Sequence, residues 1–236
     1  MESKKQNNFP LRHFLMIPFE DPTFINDYEK NFCDKLNSEM PENFDTNLLQ
    51  KPSKLHISAL IFDLKEDNKK IDIICDLMKN LQTEFKNITK GKLEYFFDGY
   101  DSFDSFQKTR VIFSKMKEDE NFLKLNLIID LIIKNLLKEG IIKESELNEL
   151  HVIKENNSNP FYKIQLHLTL LNTTFLNKVL KKSKKKPIKF FDGSKIHDCI
   201  QGVKLPVCQL KKINFCELRE NKNTGKYELI QSFDLV

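Results

Sequence analysis

Residues 54–64 read KLHISALIFDL, a short run rich in apolar and β-branched residues that predicts a β-strand. Successive side chains of a strand point to opposite faces, so His56 and Ser58 share one face and Ile57 lies on the other. The stretch therefore predicts a strand that packs one of its faces against the core. Its other face carries an imidazole and a hydroxyl side by side.

A second stretch has the same pattern. Residues 162–171 read YKIQLHLTLL, and His167 and Thr169 have the spacing of the first motif. The residues beside them are leucines, which would pack into a core on the opposite face of a second strand. A helix, paired strands and a further helix are predicted between the two motif strands, which indicates a coarse internal repeat.

The remaining periodicities predict an α+β chain. Phe24, Tyr28, Phe32 and Leu36 recur every four residues, which is typical of the buried face of an amphipathic helix. The lysine-rich residues 181–186 predict a loop. Other patterns predict helices at 71–85, 121–138 and 194–201, and strands at 12–19, 92–97, 109–115, 209–218 and 227–235.

Composition fits one globular domain. The chain has 236 residues, 40% of them hydrophobic, and a formal net charge of +4. This is enough apolar material for one core, so we expect a single bilobal domain over residues 9–236 after a polar tail at 1–8. The small net charge does not itself predict nucleic-acid binding, although it leaves room for a local basic patch.

The same sequence features predict an intracellular protein. The N-terminus has no apolar segment of the signal-peptide type, and the most apolar stretch, 125–137, is interrupted by Asp130 and Lys134. Five scattered cysteines show neither disulfide-framework nor zinc-finger spacing. We therefore expect a soluble protein of the cytoplasm, the nucleus or both, without membrane contact.

The paired motifs suit phosphodiester cleavage. With an unperturbed pKa of about 6.5, one histidine serves as general base and the other as general acid near neutral pH. Ser58 and Thr169 would bind the substrate by donating hydrogen bonds to the non-bridging phosphate oxygens. The catalytic candidates are therefore His56, His167, Ser58 and Thr169, and this chemistry requires no metal ion or cofactor. The alternative is that both histidines are ordinary half-buried strand residues.

At these residues the sequence resembles the 2H phosphoesterase superfamily. Within it, the nearest branch contains the nuclear-localisation-type domain of A-kinase anchor proteins and the first subunit of the activating signal cointegrator complex. The resemblance spans nearly the whole chain. The segments that carry it are RHFLMIPF at 12–19, KPSKLHISALIFDL at 51–64, GKLEYFF at 91–97, QLHLTLLNTTF at 165–175 and FFDGSKI at 190–196.

The resemblance implies a bilobal α+β fold, with two antiparallel sheets flanked by helices and one HxT or HxS motif from each lobe at a central cleft. It also implies metal-independent hydrolysis of 2′,3′-cyclic phosphates, 2′,5′-linked oligonucleotides or RNA 3′ ends. The partners would be an RNA or oligonucleotide substrate and a nucleoside monophosphate product. His56, Ser58, His167 and Thr169 match the four catalytic positions, with serine in place of threonine in the first motif.

Several alternatives remain open at the level of sequence. The cleft could hold a nucleoside monophosphate without turnover, or the chain could be an interaction subunit of an RNA-repair or transcription complex with an unknown protein partner. The lysine run at 181–186 could follow an RNA backbone, direct nuclear import or form a solvated loop. The aromatic residues between 96 and 106 could stack a base, although core packing is favoured. Phe175 is similarly ambiguous.

Overall fold

The computed structural model describes residues 13–40, 44–64, 67–148, 150–156, 158 and 160–236. The predicted polar tail at 1–8 and the first residue of the strand predicted at 12–19 lie outside this part of the chain. Within it, strands are formed by the stretches rich in β-branched and aromatic residues. They are β1 His13–Pro18, β2 His56–Phe62, β3 Glu94–Tyr95, β4 Phe97–Ser102, β5 Val111–Met116, β6 Val152–Glu155, β7 Phe161–Ile164, β8 His167–Asn172, β9 Cys208–Gln209, β10 Lys212–Glu220 and β11 Tyr227–Asp234.

Helices cover the sheet where the sequence has apolar residues at helical spacing. The longest, α5, buries its apolar stripe, including Leu125, Ile132 and Leu136, and confirms the helix predicted at 121–138. The helices are α1 Pro22–Asp27, α2 Asp34–Glu39, α3 Asn68–Asn80, α4 Gln82–Thr89, α5 Glu120–Lys138, α6 Thr173–Lys182 and α7 Ser194–Ile200.

The strands confirm the predicted α+β architecture and show how its two lobes meet. The order β11-β10-β1-β2-β8-β5-β4 forms one antiparallel sheet, and β3-β9 and β6-β7 form two small ones. Inside the large sheet, β2 and β8 share a single residue pair, Ile57 with Leu168. The two predicted sheets are therefore two halves of one sheet, joined at this narrow point.

The helix predicted from Phe24 to Leu36 is present, with an unexpected centre. Between α1 and α2 the backbone forms a π-helical segment, Tyr28–Cys33. Residues four apart drift by about 40° per step around an ideal α-helix, because it has roughly 3.6 residues per turn. The wider π turn reduces this drift, so Phe24, Tyr28, Phe32 and Leu36 all stay fully buried.

The prediction of one strand over 162–171 is wrong. The structure has two strands there, β7 and β8, which lie in different sheets and are separated at Gln165 and Leu166. The local pattern did not show this because the break depends on partners far along the chain. β7 pairs with β6, and the Tyr162 amide donates to a carboxylate oxygen of Asp130 on α5 over 2.8 Å.

The loop predicted at 181–186 and the segment between the strands predicted at 92–97 and 109–115 also differ from prediction. Helix α6 includes Lys181 and Lys182, because the Asn172 side chain caps its first turn and lysine is a good helix former. Positive side chains in the last turn also favour the negative end of the helix dipole. The segment between those two predicted strands contains most of β4, whose pairing with β5 overrides its weak strand propensity.

Asp130 generates a prediction on stability, because it attaches β7 to α5 directly before the strand that carries His167. The carboxylate is 7% exposed, binds the Tyr162 amide and also pairs with Lys134 at 2.8 Å. Replacing Asp130 with alanine leaves a buried N–H without an acceptor, so we expect the free energy of unfolding to fall by about 1–3 kcal/mol in urea titrations.

Asp130→Asn is the matched control, because it keeps an oxygen for the Tyr162 amide while removing the negative charge. We expect it to lose less than half as much stability as Asp130→Ala. Equal losses in the two variants would assign the effect to the ion pair with Lys134 and not to the hydrogen bond.

Candidate active site

The two motifs meet at the residue pair that joins the halves of the sheet. Ile57 and Leu168 lie opposite each other and are both 0% exposed. In antiparallel strands, the residue before one member of such a pair lies opposite the residue after the other member. The histidine of each motif therefore lies beside the hydroxyl residue of the other motif. The structure thus brings the four predicted residues together on one face, half-buried: His56, Ser58, His167 and Thr169.

Both imidazole rings are held by the same backbone interaction. Nδ1 of His56 lies 2.7 Å from the carbonyl oxygen of Lys54, and Nδ1 of His167 lies 2.8 Å from that of Gln165. A carbonyl oxygen only accepts hydrogen bonds, so Nδ1 is the donor in each ring. In the neutral form of each ring, Nε2 therefore has a free lone pair that accepts a proton.

The two motifs differ in the hydroxyl that follows the histidine. The Ser58 hydroxyl donates to Nε2 of His56 over 3.1 Å. Among the described residues, Nε2 of His167 has no corresponding bond from Thr169. His56 is thus held at both ring nitrogens, while the second nitrogen of His167 is available to a ligand.

Aromatic side chains enclose the His56 ring. Phe14 from β1 lies 5.7 Å away between ring centroids, and Tyr227 from β11 meets the ring edge-on at 5.5 Å. Phe14 and Tyr227 also contact each other at 4.9 Å. Neither residue could be connected with His56 from sequence, because each reaches it only through the pairing of distant strands.

His167 has a similar aromatic pair, Phe113 at 5.1 Å and Phe103 edge-on at 5.0 Å. Phe103 is 47% exposed, so the preference for core packing of the aromatic residues between 96 and 106 is wrong for this ring. Its sequence context, DSFDS, contains the missed signal: polar residues on both sides predict an exposed loop and not a buried strand.

Burial determines the protonation of both histidines. It lowers the pKa of His56 to about 4, which the bond to the Lys54 carbonyl opposes and the nearby His167 reinforces. Burial also lowers the pKa of His167, against the raising effect of the bond to the Gln165 carbonyl. Both rings are therefore neutral at pH 7 when no anion is bound. A bound phosphate anion would raise both pKa values, because a neighbouring negative charge favours the imidazolium.

The other histidines, His13, His151 and His197, lie outside this cleft. His13 is buried in β1 against Phe215, at 5.8 Å between ring centroids. His151 is exposed. His197 on α7 packs on Phe106 at 4.2 Å.

Two searches of the described residues gave negative findings. No group of three or more histidine, cysteine, aspartate or glutamate side chains is arranged to hold a metal ion. None of the helices in that part of the chain combines the length and the apolar character needed to cross a membrane.

Comparisons with known proteins identify the family and the fold of the chain. A family model described as "AKAP7 2'5' RNA ligase-like domain" matches residues 11–235. The search of curated proteins found no match.

Among solved structures, the chain is similar to E. coli LigT complexed with 3'-AMP and to LigT complexed with NADP+. In each case the identity is 11%, the TM-score is 0.51, and the match covers 96% of this chain and 98% of the other. It is also similar to TT0787 of Thermus thermophilus, with 15% identity, a TM-score of 0.50, and coverage of 95% and 97%. At these identities the likeness concerns the fold, and it confirms the predicted fold class.

The lowered pKa of His56 generates a prediction on pH dependence. The unfolded chain takes up a proton at this residue near its ordinary pKa of 6.5, whereas the folded chain does so near 4. Folding stability from this group is therefore complete above pH 6.5 and is lost as the pH falls towards 4. We expect His56→Asn to show a smaller loss of unfolding free energy than the wild type over this window, measured by urea titration.

Some pH dependence remains in His56→Asn, because burial also lowers the pKa values of His13 and His167. His151→Asn, at an exposed position, is the control and should follow the wild-type curve. If His56→Asn also follows it, the imidazole is not desolvated in the folded protein.

Proposed function

The chain belongs to the AKAP7 2′5′ RNA ligase-like domain family of 2H phosphoesterases, and we propose that it hydrolyses RNA-type phosphodiesters by two-histidine acid–base catalysis. The substrates would be 2′,3′-cyclic phosphates, 2′,5′-linked oligonucleotides or RNA 3′ ends, without a metal ion. One observation carries this proposal. Two imidazoles, each anchored through Nδ1, lie on adjacent strands on one face, with a hydroxyl beside each. Kinship with the cointegrator subunit remains a prediction from the sequence.

The arrangement supplies every proton transfer that the reaction needs. On a 2′,3′-cyclic phosphate, Nε2 of one histidine takes a proton from water, and the water oxygen forms the new bond to phosphorus. The bond from phosphorus to one ribose oxygen breaks, and the second histidine, protonated at Nε2, gives its proton to that oxygen. When substrate binds, the Ser58 hydroxyl turns from Nε2 of His56 to a non-bridging oxygen, which frees that Nε2 to take a proton, and Thr169 donates to another non-bridging oxygen. Negative charge increases on these oxygens in the transition state.

The surroundings of the two rings favour His56 as the base. Its pKa is held near 4, and its Nε2 already accepts a hydrogen bond from Ser58, so it is unprotonated before substrate binds. His167 has no such bond among the described residues, and its Nε2 is open to the phosphate. The anionic substrate raises the pKa of His167. The ring then takes up a proton from solvent and acts as the general acid.

The ligands of the structural relatives are consistent with a nucleotide in the cleft. E. coli LigT has been crystallised with 3'-AMP and with NADP+. In this chain the exposed ring of Phe103 borders His167 and offers a face on which a base could stack. A nucleoside monophosphate product would then be held by the two motifs through its phosphate and by Phe103 through its base.

The first test is hydrolysis by the wild type, His56→Ala and His167→Ala, with EDTA present. The substrates are 2′,3′-cyclic nucleotides, 2′,5′-oligoadenylate and a short 3′,5′ RNA. We expect wild-type turnover to survive EDTA and each variant to lose about 10²–10⁴-fold in kcat, because each loses one proton transfer. His151→Ala should keep full activity.

Two outcomes would contradict the proposal. Loss of activity in EDTA would indicate that a metal ion is required. A folded wild-type protein that binds AMP but turns over none of the substrates would indicate a nucleotide-binding module without catalysis.

The assignment of the two roles generates a separate prediction. A nucleoside 3′-(p-nitrophenyl phosphate) has a leaving group that departs without protonation, so it needs the base but not the acid. We expect His167→Ala to recover most of its lost kcat on this ester relative to an RNA substrate, while His56→Ala recovers little. The reverse pattern would exchange the two roles, and equal defects on both substrates would contradict a division into base and acid.

A further inference from the structure

A basic groove of about 580 Å³ opens beside the His56 side of the cleft. We call it the lysine groove, lined by Lys54, Lys178, Lys181, Lys182, Glu220 and Tyr227. A contiguous cavity of about 220 Å³ shares most of this lining and adds seven residues, among them Lys51 and Phe175. Neither motif contributes a side chain to the groove, so it is distinct from the two-histidine site.

Local structure explains why the lysines converge. Lys178, Lys181 and Lys182 have i, i+3 and i+4 spacing on α6, which places them on one face of that helix. Helix α6 begins directly after β8, the strand of His167. Lys54 stands two residues before His56, and its carbonyl oxygen is the acceptor that anchors that imidazole. The lysines of the groove therefore come from segments that adjoin the two motifs.

The lining of the groove has many more positive than negative side chains. Glu220 is its one carboxylate in the part of the chain that the structure describes, and it is already bound to Lys54 at 2.7 Å and to Lys51 at 3.1 Å. These two ammonium groups lower the pKa of Glu220 to about 2. Among the described residues, no carboxylate lies within the 4.0 Å ion-pair distance of Lys178, Lys181 or Lys182. The groove thus has an excess of positive charge suited to anions.

Tyr227 connects the groove with the catalytic cleft. The side chain of Lys54 is only 7% exposed, and its ammonium lies 4.9 Å from the centre of the Tyr227 ring. The same ring meets His56 edge-on. The Tyr227 ring would therefore lie between an anion in the groove and a phosphate held by the two histidines. That arrangement fits a ligand with several phosphates in sequence.

We propose that the lysine groove binds further phosphates of an oligonucleotide whose scissile phosphodiester lies between His56 and His167. The inference rests on the proposed function, and it makes the preferred substrate an oligonucleotide and not a free cyclic mononucleotide. The shared chemistry is the non-bridging phosphate oxygens of either an internucleotide linkage or a 5′-terminal triphosphate. Of the lysine run at 181–186, only Lys181 and Lys182 line the groove, and Lys184, Lys185 and Lys186 do not.

The matched variants are Lys178→Ala/Lys182→Ala in the groove and Lys184→Ala/Lys185→Ala outside it. All four lysines are exposed, so both variants should fold. The substrates are a 2′,3′-cyclic mononucleotide and a short RNA ending in a 2′,3′-cyclic phosphate, with either a 5′-hydroxyl or a 5′-triphosphate. We expect the groove variant to lose at least about tenfold in kcat/KM on RNA, mainly through KM, because charge-assisted contacts to phosphate are lost. Its activity on the mononucleotide should stay unchanged, and the control should match the wild type on every substrate.

The two RNA substrates distinguish internucleotide phosphates from a 5′-terminal triphosphate. A defect on the 5′-hydroxyl RNA assigns the groove to internucleotide phosphates. A defect confined to the 5′-triphosphate RNA assigns it to the terminal triphosphate. Equal losses on RNA and on the mononucleotide, or equal losses in the groove and control variants, would overturn the proposal.

RNA affinity measured against salt separates this inference from the proposed function. Each lost phosphate contact to a single strand lowers the slope of log K against log salt by about 0.7, so the groove variant should lose about 1.4 and the control nothing. These measurements use the His167→Ala background to prevent turnover. Absent catalysis with this change in slope would contradict only the proposed function. An unchanged slope in an active enzyme would contradict only the groove.

Discussion

The backbone pairing of Ile57 with Leu168 is the interaction on which the site depends. It is the one pair between β2 and β8, and both side chains are fully buried. Strand alternation then places the histidine and the hydroxyl of each motif on the opposite, open face. A shift of one residue in this register would turn one motif into the core and separate the two imidazoles. The apolar residues of the motif strands therefore determine the position of the polar ones.

The site combines firm orientation with an unfavourable environment for charge. Each imidazole is anchored by a carbonyl oxygen two residues earlier and is enclosed by two aromatic rings. The aromatic walls lower both pKa values by excluding water, while the carbonyl bonds oppose this effect. Without a bound anion, both imidazoles are thus neutral bases. In the proposed reaction, the negative charge of the phosphate favours protonation of one of them, which then acts as the acid.

The two halves are alike at the histidines and different around them. Beside His56, Tyr227 and Lys54 lead to a groove rich in lysine. Beside His167, the exposed ring of Phe103 borders the cleft, and Lys115, which lies opposite His167 on β5, is 3.9 Å from a carboxylate oxygen of Asp101. This asymmetry would give a bound oligonucleotide a direction, with phosphates on the His56 side and a stacked base on the His167 side.

Much of the site is determined by the sequence alone, because strand alternation and helical spacing are local properties. They predicted the faces of β2 and β8, the four motif residues, the buried stripe from Phe24 to Leu36 and helix α5. The sequence did not reveal the break between β7 and β8, helix α6, or the positions of Tyr227 and Phe103. Those depend on long-range contacts: Asp130 binds the amide of Tyr162, and β11 brings Tyr227 to His56. Only the tertiary structure decides such contacts, because their partners are far apart in the chain and leave no local periodicity.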